Sequence, residues 1–94
     1  MNSLLDEMVI PLSRPYTIDG VERDSITIRE PKLRDRLLYS KDKGVSEERS
    51  ARMIARLVNL DISALHGLPD CDYSKLEDAF NEMVKVPGDR KQIL

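Results

Sequence analysis

The sequence predicts an α+β fold: an N-terminal β-hairpin followed by a small bundle of three main helices plus one short helical turn. Three observations carry this expectation. Ile26 and Ile28 alternate with Thr27 and Arg29, the period-two pattern of a half-buried strand. Asp19-Gly20 lies between two extended stretches and signals a type I′ hairpin turn, whose two central positions both need positive φ. Beyond Pro31, apolar residues recur at helical spacing almost to the end of the chain. The 94 residues suit one domain: a hairpin over 8–30, a helical part over 31–86 and a mobile polar tail over 87–94.

Residues 1–7 read as a loose leader, too short to hold a helix alone because nucleation is costly. The first strand runs from Met8 to Ile18 and contains Pro11 and Pro15. Each proline deletes a ladder donor, which argues for an edge position. Val21 to Arg29 returns antiparallel. A two-residue turn pairs Ile18 with Val21 and therefore Leu12 with Thr27. That pairing sets Ile10 and Leu12 on the opposite face from Ile26 and Ile28. A bulge near Arg23-Asp24-Ser25 that shifts the pairing by one residue restores a common apolar face.

Pro31 ends the strand and begins the first helix, because a missing N–H is tolerated in a first helical turn. This helix is expected over Pro31 to Lys43. Leu33, Leu37 and Leu38 form its apolar stripe, Arg34, Asp35, Arg36 and Lys41 face solvent, and Gly44 follows as the residue past its end. Ser46 caps a second helix, with Glu47 and Glu48 in its first turn. Ala51, Ile54, Leu57 and Val58 make its apolar face, widened by Met53 and Leu60. So short a link predicts an antiparallel helix pair. Asp61 caps a short turn through Ile62, Leu65 and His66, closed by Gly67. Asp72 caps the last helix, which runs through Tyr73, Leu76, Phe80, Met83 and Val84 to Pro87-Gly88.

Composition narrows the function. Acids (17) and bases (15) nearly cancel, so bulk charge does not draw the chain to nucleic acid. A single cysteine excludes an internal disulfide and fits a reducing cytosol. The N-terminus lacks the pattern of a signal peptide, and no apolar run approaches the roughly 20 residues of a membrane span. Catalytic and metal-binding residues are not apparent. His66 reads as a helix-terminal or core histidine, and the acids flanking Cys71 disfavour a thiolate. One Cys, one His and scattered carboxylates match no zinc or calcium spacing, and no glycine-rich phosphate loop occurs. No cofactor is expected.

Two binding readings remain. Arg49, Arg52 and Arg56 fall at i, i+3 and i+7, with Arg34, Arg36, Lys41 and Lys43 before them. The functional reading is a phosphate-binding stripe; the plainer one, preferred here, is a solvated face partnered by Glu47 and Glu48. The apolar faces offer the second reading. Met53, Leu57, Leu60, Phe80, Met83 and Val84 are candidates for a groove that takes an amphipathic helix, methionine being adaptable to varied side chains. The same six residues also serve as ordinary core.

The order of these parts resembles a known family. Ile18-Asp19-Gly20-Val21, then Ile26-Thr27-Ile28-Arg29-Glu30-Pro31, then Asp35-Arg36-Leu37-Leu38 is similar to the small tail assembly chaperones of Mu-like contractile-tailed phages. Leu57-Val58-Asn59-Leu60, the stretch from Ile62 to Leu65, and Asp72-Tyr73 through Leu76 extend the likeness over about residues 9 to 84. Lys32 departs from the small or capping residue usual after the proline. The resemblance implies a non-enzymatic protein of the host cytoplasm that coats the tape measure protein and keeps it soluble while the tail tube assembles. It implies several copies and absence from the mature virion. Unpaired strand groups suggest self-association through the hairpin edge. The rivals are a small nucleic-acid-binding regulator and a structural tail component.

Overall fold

A computed structural model describes residues 5–93. The part of the expected leader at residues 1–4 lies outside the described residues; Leu5 and Asp6 form a turn and Glu7 opens the first strand. Strands β1 (Glu7–Ile18) and β2 (Val21–Arg29) form a two-stranded antiparallel sheet. Helices α1 (Leu33–Lys41), α2 (Ser46–Val58), α3 (Ile62–His66) and α4 (Asp70–Met83) follow, then a 3-10 turn at Pro87–Asp89. The architecture is the α+β hairpin-and-helices arrangement read from the sequence.

The hairpin turn is as expected. Asp19 and Gly20 have φ of 53° and 79°, the left-handed pair that matches the twist of the flanking strands. The register correction differs in kind from the expected bulge. Pro11 pairs with Ser25 and Tyr16 pairs with Arg23, so the four residues Leu12 to Pro15 of β1 stand against Asp24 alone. The excess lies on β1, not on β2, and it is three residues rather than one. Three and one are both odd, so the effect on facing is the same. Met8 opposes Ile28 and Ile10 opposes Ile26, and all four side chains are buried. The excursion sits between Pro11 and Pro15, which bring no N–H to a ladder.

Asp72 explains how the excursion is held. It lies inside the first turn of α4, whose N-cap is Pro69, and does not cap that helix as expected. Its carboxylate is buried and reaches β1, accepting from the Ser13 amide at 2.8 Å, the Ser13 hydroxyl at 2.8 Å and the Tyr16 hydroxyl at 2.7 Å. Burial works to raise its pKa, and the hydrogen bonds from Tyr16 and Ser13 outweigh it, leaving the group below its ordinary value.

The buried face of the sheet packs on α2 and α4. Ile54, Leu57 and Val58 of α2 and Leu76, Ala79 and Met83 of α4 complete the core with Met8, Ile10, Ile26 and Ile28. Asn59 ends α2 with φ 55°, a left-handed cap that asparagine tolerates. Val45, not Ser46, is the N-cap of α2, and no side chain caps it. Asp61 caps α3 as expected, accepting from Ser63 N–H. Past α4, Arg90 donates to the carbonyls of Leu5 and Lys85 and pairs with Glu30, while Gln92 donates to the Val9 carbonyl.

Candidate functional site

The site begins with one charged pair. Arg29, the last residue of β2, forms a two-pronged ion pair with Asp35: Nη2 to Oδ1 at 2.8 Å and Nη1 to Oδ2 at 2.9 Å. Asp35 also accepts from the Lys32 amide at 2.8 Å. Such a pair fixes orientation as well as distance. Asp35 is 1 % exposed, against the expectation that it faces solvent. The bonds from Arg29 hold its carboxyl below the ordinary value.

The rotation of α1 follows from that burial. The helix starts at Leu33 rather than Pro31, with Lys32 as its N-cap and Asp35 in its first turn. Asp35 and Tyr39, four residues apart, turn toward the body of the protein. Leu33 and Leu37 are two residues from Asp35 and so about 160° round the helix. Leu33, Leu37 and Leu38 are 65 %, 49 % and 48 % exposed, so the stripe expected to pack inward points out.

Tyr39 and the arginines of α2 hold this arrangement. Arg49 stacks over the Tyr39 ring, 4.5 Å from its centroid, and donates to the Tyr39 carbonyl at 3.0 Å. Arg52 pairs with Asp42 at 2.6 Å and donates to the Lys43 carbonyl. Arg56 reaches the Met53 sulfur. The basic stripe noted in the sequence therefore makes contacts within the chain, two of its members clamping the end of α1 and the link after it. Gly44 in that link has φ 105°, two residues beyond the Asp42 C-cap, and a Cβ there would lie 3.4 Å from the Arg52 guanidinium.

Between α1 and the C-terminal end of α4, over α2, lies a groove of about 860 Å³. Met53, Ile54 and Met83 form its floor, Phe80 is half-buried in its wall, and Leu33, Val84 and Val86 stand exposed at its rim. Glu30 closes one end. Its carboxyl is lowered to about 2 by hydrogen bonds from Lys32 and Arg90. The apolar surface continues past the rim from Leu33 to Leu37, one turn along α1.

Four of the six candidate residues thus line one groove: Met53, Phe80, Met83 and Val84. Leu57 is 2 % exposed and belongs to the core. Leu60 packs partly buried on the other side of α2, beside Val58 and the outer part of β2. Sequence reasoning missed Leu33, Leu37 and Leu38 as surface. The signal available was Asp35, an acid in the first helical turn with Arg29 six residues earlier, which makes the polar side of α1 the side that is tied down.

His66 and Cys71 are both exposed, and among the described residues no group of three or more His, Cys, Asp or Glu side chains is placed to hold a metal ion. Among the same residues no helix is long and apolar enough to cross a membrane.

The family described as phage tail assembly chaperone proteins, E, or 41 or 14, matches residues 9–85. No curated protein and no solved structure gives a significant match.

Proposed function

This chain belongs to the phage tail assembly chaperone family, and on that basis we propose that it binds the tape measure protein of a Mu-like contractile-tailed phage or prophage and keeps it soluble while the tail tube assembles. The observation that supports the reading is the outward apolar face of α1. Leu33 and Leu37 stand in solvent on the side of α1 opposite Asp35, Leu33 at the rim of an apolar groove, and the buried Arg29–Asp35 pair fixes that rotation. A contiguous exposed apolar patch of this kind marks an interaction surface. A long helical client offers amphipathic segments that fit a groove walled by helices.

The protein acts in the host cytoplasm, works by binding rather than by catalysis, and is absent from the mature virion. Copies that associate through the hairpin do so along β2. On β1 the carbonyls of Val9 and Pro11 and the amide of Ser13 already take contacts from Gln92, Lys75 and Asp72.

Co-expression with the tape measure protein tests the reading. The tape measure protein is expected in the soluble fraction only when this chain is present, and copurifying with it. A tape measure protein that stays insoluble beside the chain, or is soluble without it, overturns the reading. Detection of the chain in purified virions would instead favour a structural tail component.

A further inference from the structure

We propose that the α1 side of the groove selects an acidic amphipathic helix. The inference rests on the chaperone reading for the source of that helix, but its chemistry is argued from the surface itself. The groove has helices on three sides, α1 and α4 as walls and α2 as floor, and Leu33, Arg36 and Tyr39 of α1 line it. Nine residues of α1 span about 14 Å, which is two to three turns of an incoming helix. The anchors offered are Leu33 at the rim of the α1 wall, with Leu37 one turn further along that helix, and Val84 and Val86 on the other wall.

Charge decides the sign of the occupant. The whole chain carries a net charge of −2, yet from Lys32 to Lys43 there are five bases and two acids. Both acids are committed inside the chain, Asp35 to Arg29 and Asp42 to Arg52. Arg34, Arg36 and Lys41 are exposed and make no ion pair among the described residues. Of the acids along the groove, Glu30 is held by Lys32 and Arg90, which leaves Glu77 on the α4 wall. The Leu33–Leu37 stripe of α1 is therefore flanked by unneutralised cations, Arg36 on its groove side and Arg34 with Lys41 on the other. A phosphate backbone would satisfy the cations and leave the leucines wet. An amphipathic helix with carboxylates beside its apolar stripe satisfies both.

Two synthetic helical peptides with the same leucine stripe test this, one flanked by glutamates and one by lysines. Binding to the full chain is read by fluorescence anisotropy. The glutamate peptide is expected to bind at least about tenfold more tightly at low salt, and most of the difference should vanish near 1 M salt, where the Debye length is about 3 Å. The triple variant R34E/R36E/K41E should reverse the preference. L33S/L37S should weaken both peptides while circular dichroism shows the fold unchanged. Equal binding of the two peptides, no binding of either, or a preference unmoved by the charge reversal would overturn the inference. So would concentration-dependent dimerisation that L33S/L37S abolishes, because the occupant would then be a second copy. If co-expression still solubilises the tape measure protein while the peptides show no preference, the chaperone reading stands and this inference falls. If the preference holds while co-expression fails, the reverse is true.

Discussion

Asp35 shows how one side chain sets the direction of an element. A carboxylate that is 1 % exposed needs charge and hydrogen bonds to offset its desolvation, and Arg29 with the Lys32 amide supplies both. Replacing it by asparagine keeps the shape but sets an amide against the guanidinium. Asp35→Asn should therefore cost about 2 kcal/mol, read as a lowered urea midpoint. The same group has a pH consequence, shared with Glu30. Both carboxyls titrate lower in the folded protein than in the unfolded chain, so the unfolded state takes up protons first as pH falls. Their stabilising effect is complete above the ordinary carboxyl range. For Glu30 it is lost as pH falls from 4.5 toward about 2. Urea titrations across that window should show falling stability, and Glu30→Gln should flatten part of the slope.

At the scale of elements, the hairpin and α4 depend on each other. The β1 excursion at residues 12–15 corrects the facing of the strand, but it removes backbone groups from the ladder. Asp72 of α4 supplies an acceptor for the Ser13 amide and ties down Ser13 and Tyr16. Asp72→Ala should lower stability by roughly 2 kcal/mol. It should also speed hydrogen exchange at the Ser13 amide more than at Ile26 or Ile28, a site-specific reading that general destabilisation does not give. The link between α1 and α2 is a second such joint. Gly44 at φ 105° with Arg52 packed beside it makes Gly44→Ala unfavourable by about 1 kcal/mol in thermal melts.

For the whole molecule, the consequence is a division of its apolar surface. The sheet, α2 and α4 share one core, while α1 stands against α2 through Tyr39 and the arginines and keeps its leucines outside. Mutating exposed leucines costs little folding energy, commonly within about 0.5 kcal/mol each. Leu33→Ser with Leu37→Ser should therefore leave the melting transition nearly unchanged and still abolish rescue of the tape measure protein in co-expression. A variant that loses stability and rescue together would place those leucines in the core after all.

Local chemistry was enough to read the two strands, the Asp19-Gly20 turn, the four helices and the need for an odd register shift, because periodicity and turn geometry act over a few neighbouring residues. The candidate surface was legible only in part. Met53, Phe80, Met83 and Val84 meet in one groove because helical spacing already placed them on neighbouring faces. Leu57 and Leu60 went elsewhere because spacing does not say which neighbour a face will meet. The rotation of α1 and the strand that carries the excursion belonged to the tertiary structure. Leu33, Leu37 and Leu38 read as core by periodicity, and Asp35 as solvent-facing by polarity. The charge on Arg29 reversed both, since a paired carboxylate can be buried where an unpaired one cannot, and only the packed chain brings the pair together.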